Sequence, residues 1–471
     1  MRRSVIATLL TMAILSPGGA ATAAPPPAIT RDSQRDLMVT IYNGNLGLVK
    51  DTREAHLPTG MSEVPFADVA AQIDPTSVHL KSLTDPAGLR ILEQNYEYDL
   101  LSAQKLLEKY VGKKVRLYQG NGSYLEATLL STDGPVFDIN GEIHMGHHGQ
   151  IVFPALPENL VSKPTLRWLL RNGTAAPQRI EASYLTGGVT WKADYVVILN
   201  AADDRADLTG WVTIDNKSGA TYKDAALKLV AGDVNRARDD RTRQALEMAA
   251  KSVGAAAPAS RDFVSEGFFE YHLYTLDGRT TIKDNQTKQL TLMTAAGVPV
   301  RKELAFFGAR DYYRTQYGTP MSNQKVSVFV ELTNAKGNNL GVPLPKGKIR
   351  VYKADKSGSQ QLVGEDWIDH TPADEKVRIK MGEAFDVVGE RTQRDWKKIS
   401  GSTYEVEWEI SLRNHKKENV VVSVIEPIPG DWEVLQETQR HEKLEAHTLR
   451  YQVPVPAEGA AKVTYRVRLR F

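Results

Sequence analysis

Two ten-residue stretches alternate apolar and polar residues without a break, and that period limits most of this chain to strands. Val463, Tyr465, Val467, Leu469 and Phe471 interleave with Lys462, Thr464, Arg466, Arg468 and Arg470; Tyr404, Val406, Trp408, Ile410 and Leu412 interleave with Glu405, Glu407, Glu409, Ser411 and Arg413. Successive side chains of a strand point to opposite faces, so each stretch has one face to bury and one to leave in water. The polar faces carry opposite charge, which predicts that the two strands pair. Similar alternation, punctuated by Gly, Pro, Asn and Asp, continues through most of the chain beyond Leu37, as in sandwiches and small barrels. The expected fold is mainly β and multidomain: immunoglobulin-like β-sandwiches, an inserted small SH3-like or Sm-like barrel, and one or two short helices.

A fainter repeat accompanies this pattern. Strands ending in Asn recur at Trp211 to Asn216, Val328 to Asn334 and Trp408 to Asn414, each followed by a polar turn. Asn tolerates left-handed geometry and can cap a turn with its own side chain, which accounts for its recurrence there.

The N-terminus predicts an address. Arg2 and Arg3 precede an apolar run from Val5 to Leu15, a Pro17-Gly18-Gly19 break and the small residues Ala21, Thr22, Ala23 and Ala24. This pattern predicts a signal peptide cleaved after about Ala23, with the mature protein exported to the periplasm or beyond. The run is too short to span a bilayer, and no later segment reaches the roughly 20 apolar residues required, so no integral membrane segment is expected in the mature chain. The chain contains no cysteine, which removes disulfides, thiolate nucleophiles, Cys-ligated zinc and a lipid-modified cysteine. Apolar cores must therefore hold the fold. There are 59 Lys and Arg against 57 Asp and Glu, so loss of Arg2 and Arg3 leaves the mature chain balanced, which opposes nucleic acid as a partner. The terminal Phe471 also resembles the ending of outer-membrane barrels, but the 25% of charged residues favours a closing sandwich strand.

The expected organisation is a signal peptide at 1–23, a disordered Pro-rich leader at 24–36 with folded structure from near Leu37, and an N-terminal β region at 37–101. A helix plus small barrel follows at 102–156, in which Ser102 caps the helix, Leu106, Leu107 and Tyr110 form its apolar face and Gly112 stops it. A β-sandwich region at 157–345 is interrupted by a charged and Ala-rich excursion at 235–260. An immunoglobulin-like sandwich closes the chain at 346–471.

Candidate chemistry is sparse. His144, His147 and His148 lie within five residues, and three imidazoles with a water or carboxylate can hold zinc; strand alternation would splay His147 from His148. Two aromatic stretches supply a candidate binding surface of Tyr271, Tyr274, Tyr312, Tyr313, Arg314 and Tyr317, since Tyr rings and a guanidinium can stack on a ligand; packing inside a sandwich is the competing role. Glu365, Asp366, Asp369 and His370 are read as a solvated acidic loop. Asp203, Asp204 and Asp207 lack the spacing of a calcium loop. His441-Glu442 lacks the second His of a zinc-protease helix, and no G-x-S-x-G elbow, phosphate-cradling loop or dinucleotide turn is present. No cofactor is expected.

From about Tyr42 onward the chain resembles a bacterial domain-of-unknown-function family, number 4139, which includes proteins named mucoidy-inhibitor-like. The resemblance rests on Leu92-Glu93-Gln94-Asn95-Tyr96-Glu97-Tyr98-Asp99-Leu100-Leu101, Ser183-Tyr184-Leu185-Thr186-Gly187-Gly188 with Trp191 and Tyr195, and Gly210-Trp211 with Asp215-Asn216. Further matches are Glu270-Tyr271-His272-Leu273-Tyr274, Gly364-Glu365-Asp366 with Asp369-His370-Thr371, and Glu426-Pro427 with Pro429-Gly430. It implies a secreted β-rich protein and transfers no catalytic residue. The mucoidy-inhibitor-like relatives carry a longer coiled-coil insertion, which this chain replaces with its short excursion. The expected function is a secreted cell-envelope protein, non-enzymatic, binding or structural, with an envelope protein or polymer as partner; the alternative is a metal-dependent hydrolase using His144, His147 and His148.

Overall fold

The computed structural model describes residues 28–97, 99, 101–119, 122–147, 149–157, 160–161, 163–232, 234, 263–316 and 325–471. The signal peptide with Ala21, Ala23 and Ala24, the 235–260 excursion, His148 and Tyr317 lie outside them. The chain begins with β1 (Gln34–Tyr42), β2 (Leu46–Ala55), β3 (Gly60–Ala67), β4 (His79–Ser82) and β5 (Leu89–Glu97), then α1 (Ala103–Tyr110). Five short strands follow: β6 (Lys114–Tyr118), β7 (Tyr124–Ser131), β8 (Val136–Ile139), β9 (Glu142–Met145) and β10 (Ile151–Val152). The middle of the chain supplies β11 (Thr165–Asn172), β12 (Gln178–Thr186), β13 (Val189–Leu199), β14 (Arg205–Asn216), β15 (Tyr222–Ala231), β16 (Phe263–Phe268), β17 (Tyr271–Ile282) and β18 (Gln286–Phe307). The last ten are β19 (Lys325–Thr333), β20 (Gly347–Ala354), β21 (Gln360–Ile368), β22 (Lys376–Ser400), β23 (Thr403–Asn414), β24 (Val420–Pro427), β25 (Asp431–Glu437), β26 (Glu442–Glu445), β27 (Thr448–Val455) and β28 (Gly459–Arg470). The protein is mainly β with several separate sheets, and no helix among the described residues is long and apolar enough to cross a membrane.

Contacts divide the chain into two compact units. The first holds the described residues up to Arg35 with Thr52–Val69 and Leu80–Glu181; the second holds Asp36–Asp51, Ala70–His79 and Ala182–Phe471. In the first, β3-β11-β5 form a three-stranded sheet and β10-β6-β7-β8-β9 a five-stranded one. Folded structure starts before Leu37: Ile29 is buried and forms a parallel bridge to Phe66, and β1 begins at Gln34. The Pro-rich composition that suggested a leader ends at Pro27, and the apolar Ile29 beyond it has a core to enter.

Helix α1 forms where the sequence placed it. Ser102 Oγ accepts the Lys105 N–H, Tyr110 is buried with Leu107 packed beside it, and Gly112 at φ +79 takes the left-handed conformation that ends the helix. The five short strands follow as one sheet, but the expected small barrel is not closed. β10 contributes two residues and pairs with β6, too short an element to bridge the sheet to β9.

The second unit is dominated by two long strands that pass from one sheet partner to the next. β18 pairs with β14 along Gln286–Pro299, then with β19 and, in parallel, with β24. β22 pairs first with β19 and then, along Val387–Ser400, with β23. Trp408, Ile410 and Leu412 of β23 and Val463, Tyr465 and Val467 of β28 pack against Phe306, Val422, Val424, Tyr451 and Val453 in one core. The two alternating stretches pair as their charges required. Glu405 lies opposite Arg468 and Glu407 opposite Arg466, with ion pairs at both positions and from Lys462 to Glu409. Exposed pairs of this kind are worth roughly 0–1 kcal/mol each, so their main effect is on register.

The recurring asparagines are corner posts. Asn414 Nδ2 donates to the carbonyls of Glu418 (2.8 Å) and Pro456 (3.0 Å), while its Oδ1 accepts the Lys416 N–H (3.0 Å). Asn216 does the same with Ala220, Lys283 and Ser218, and Asn334 with Val342, Pro372 and Gly341. A fourth, Asn172 at the end of β11, holds Leu57, Pro58 and Thr174. All four are buried, and none has positive φ. The side chain, not left-handed backbone, is what the position selects: each ties its own turn to a second segment whose carbonyls would otherwise be buried without partners. Asn414→Ala is expected to cost about 3 kcal/mol by stranding those carbonyls, read as a lower urea midpoint of the tryptophan-fluorescence transition at unchanged slope; a loss below about 1 kcal/mol would show that the turn holds without it.

Candidate functional site

His144 sits on β9 with its Nε2 3.5 Å from the Glu142 carboxylate, and His147 beyond Gly146 places Nε2 2.9 Å from the Tyr118 carbonyl. They engage different neighbours, and among the described residues no group of three His, Cys, Asp or Glu is arranged to hold a metal ion. The aromatic candidates divide. Tyr271 is half-buried at the start of β17, its ring 6.2 Å from Phe269. Tyr274 is 3% exposed and its hydroxyl donates to the Pro343 carbonyl (2.9 Å), with burial raising its pKa. Tyr312 stacks on Trp408 at 5.8 Å, Tyr313 is fully buried, and the exposed Arg314 guanidinium lies 5.7 Å from the Phe471 ring. Tyr274 and Tyr313 are thus interior side chains and offer no surface.

What buries Tyr313 is a polar centre within the apolar core. Arg391 of β22 makes a two-pronged ion pair with Glu426 of β24, both side chains wholly buried. Tyr465 donates to the same carboxylate (3.0 Å), Tyr313 lies 3.3 Å from it, and the two hydroxyls are 2.7 Å apart. The guanidinium lies between the rings of Tyr312 (5.2 Å), Phe306 and Trp408 (both 5.6 Å). A Cβ on Gly308 would stand 2.4 Å from the Glu426 carboxylate, so only glycine lets the chain pass there. Burial alone would lower the Arg391 pKa, but the facing Glu426 outweighs it and raises it; burial, then the Glu426 charge, raises both tyrosines. Acid and base pair through both terminal guanidinium nitrogens out of reach of solvent, an arrangement that holds strands together and leaves neither charge facing a ligand.

β21 is one edge of the largest sheet and carries an exposed tryptophan. Glu365 and Asp366, expected in a solvated acidic loop, stand instead on a strand that crosses β22. A Cβ on Gly364 would meet Met381 Cα at 2.9 Å, marking how closely the two backbones approach. The Asp366 carboxylate accepts the backbone N–H of Lys380 (2.6 Å) from β22 and that of Trp367 (2.8 Å), while Glu365 accepts from Lys348 and Arg350, both at 2.8 Å, which hold its pKa below the usual range, Lys348 contributing more. His370 Nδ1 accepts the Lys346 N–H, and Thr371 bridges Leu344 in both directions. Between these engaged residues Trp367 points outward, 66% exposed, with Lys348 Nζ 5.5 Å from its ring centre. Its signal in the sequence is a lone Trp among acids.

A family model described as "Domain of unknown function (DUF4139)" matches residues 180–471, the region that holds β21, the Arg391–Glu426 pair and three of the four asparagine corners. No curated protein matches the chain.

Arg391→Met would leave Glu426 buried without its counter-charge and is expected to cost roughly 3–5 kcal/mol. The double change Arg391→Met with Glu426→Leu should recover at least half of that in equilibrium unfolding, since an apolar pair can replace a buried ion pair; losses that simply add would show the two side chains to be independent.

Proposed function

The chain belongs to the DUF4139 family, and we propose that this member is an exported, non-enzymatic binding protein of the cell envelope that holds a protein partner on the outer face of β21, with Trp367 at the centre of the contact. The observation that carries the reading is the exposure of Trp367 on an edge strand whose neighbouring acids Glu365 and Asp366 both have structural partners. Trp and Arg are the side chains that most often dominate binding energy, and a ring within a polar rim of Lys348, Arg350 and Glu365 has the anatomy of an interface centre. The ring is also pre-positioned by Lys348, so little side-chain entropy is lost on docking. The signal-like N-terminus supplies the address, and the balanced charge of the remainder favours a mixed polar surface over an electrostatic polymer grip.

A photo-crosslinking amino acid at Leu362, also exposed on β21, tests this in cells. One dominant protein adduct is expected, and Trp367→Ala in the same background should cut its yield by about tenfold or more, as for an interface hot spot. An adduct yield indifferent to Trp367→Ala, a glycan adduct in place of a protein, or no adduct would each contradict the proposal.

A further inference from the structure

A cavity of about 270 Å³ opens in the second unit beside the turn between β13 and β14. Its walls are Leu199, Val328, Val330, Val363 and Met381, and at Gly382 nothing lies within 4 Å of where a Cβ would stand. At 30 Å³ per water this is room for about nine waters, or a ligand of about ten non-hydrogen atoms. The polar residues on its lining are Asp203, Lys302, Lys353 and Glu383.

Asp203 sits at φ +58 in a turn braced by Asn200, whose Oδ1 accepts the N–H groups of Asp204 and Arg205. Its carboxylate receives Lys302 on one oxygen (2.9 Å) and Lys353 on the other (2.5 Å). Glu383 is turned to the Ser327 hydroxyl (3.0 Å) and Lys380 (3.2 Å). Two ammoniums thus share one carboxylate beside an apolar wall, while the fourth charged residue of the lining, Glu383, is engaged by Ser327 and Lys380. Each ammonium has three donors; among the described residues Lys302 uses one of them on Asp203 and Lys353 uses two, the second on the Ala201 carbonyl (3.1 Å). Burial alone would raise the Asp203 pKa, but Lys353 and Lys302 hold it below the usual range, so the carboxylate stays charged and in place.

We infer that this cavity binds a small amphipathic monoanion, a straight-chain carboxylate of about eight carbons in size, its head bridging Lys302 and Lys353 and its chain against the valines and Met381. Asp203 then competes with the ligand for the same ammoniums. That competition gives the inference an unusual signature, because Asn keeps the left-handed backbone at position 203 while removing the rival charge.

Calorimetric titration of the mature full-length protein with octanoate, octanol and octylamine tests it. Octanoate should bind at least tenfold more tightly than octanol, and octylamine should not bind. Lys302→Met and Lys353→Met should each weaken octanoate about tenfold, Val363→Trp should block it, and Asp203→Asn should tighten it about threefold or more. Failure of the natural protein to bind octanoate, equal affinity for octanol, or weaker binding by Asp203→Asn with unchanged unfolding behaviour would overturn the inference.

Discussion

The Arg391–Glu426 contact is the interaction on which the second unit depends. It joins the strand that closes against β23 to the strand that runs parallel to the end of β18, and it gathers two tyrosine hydroxyls around one carboxylate. Removing two charges from water is costly, and this pair offsets the cost through two prongs, two hydroxyls, three rings and a glycine that leaves space, although Arg391 Nε has no hydrogen-bond partner among the described residues. A chain without cysteine cannot staple such strands covalently, and here buried polar contacts pin them in one arrangement. The asparagine corners do this at the strand ends, where a turn and a neighbouring segment both present carbonyls to the interior.

β22 carries this rigidity to the surface. Its later part holds Arg391 in the core, and its earlier part provides the Met381 backbone and the Lys380 N–H on which β21 rests. Trp367 is therefore displayed from a strand fixed at both Gly364 and Asp366, and a binding ring on such a platform costs little to order. The polar groups that look most reactive in the core are consumed in holding it, while Trp367 is left facing solvent.

Much of the fold was legible because period-two alternation is a direct consequence of strand geometry. The pairing of Glu405, Glu407 and Glu409 with Arg468, Arg466 and Lys462 could be anticipated from charge alone, and α1 from Ser102 and Gly112. The asparagine repeat is legible at Asn216, Asn334 and Asn414, and of the two properties that suit Asn to a turn the side-chain cap operates while left-handed backbone does not; Asn172 joins the set only in three dimensions. For Tyr313 the sequence leaves core and surface both open, because the residue lies in a 3-10 turn, Arg310–Tyr313, where alternation carries no information about burial. The exposure of Trp367 is illegible in the sequence for a different reason: its acidic neighbours resemble a loop, and only the approach of β21 to β22, segments distant in pairing order, turns Asp366 into a cap and leaves the indole outside. The closure of the small sheet could not be read at all, since it depends on how many residues β10 contributes.

The central claim is that the outer face of β21 is where this protein meets its partner while the core aromatics serve structure alone. Fluorine NMR of the mature protein labelled with 5-fluorotryptophan tests it most directly, because the chain has seven tryptophans and Trp168, Trp191 and Trp408 are buried internal controls. On adding a detergent-solubilised envelope fraction, the Trp367 resonance should shift or broaden while those three stay fixed. A Trp367 resonance that remains sharp and unmoved as other tryptophans respond would contradict the account.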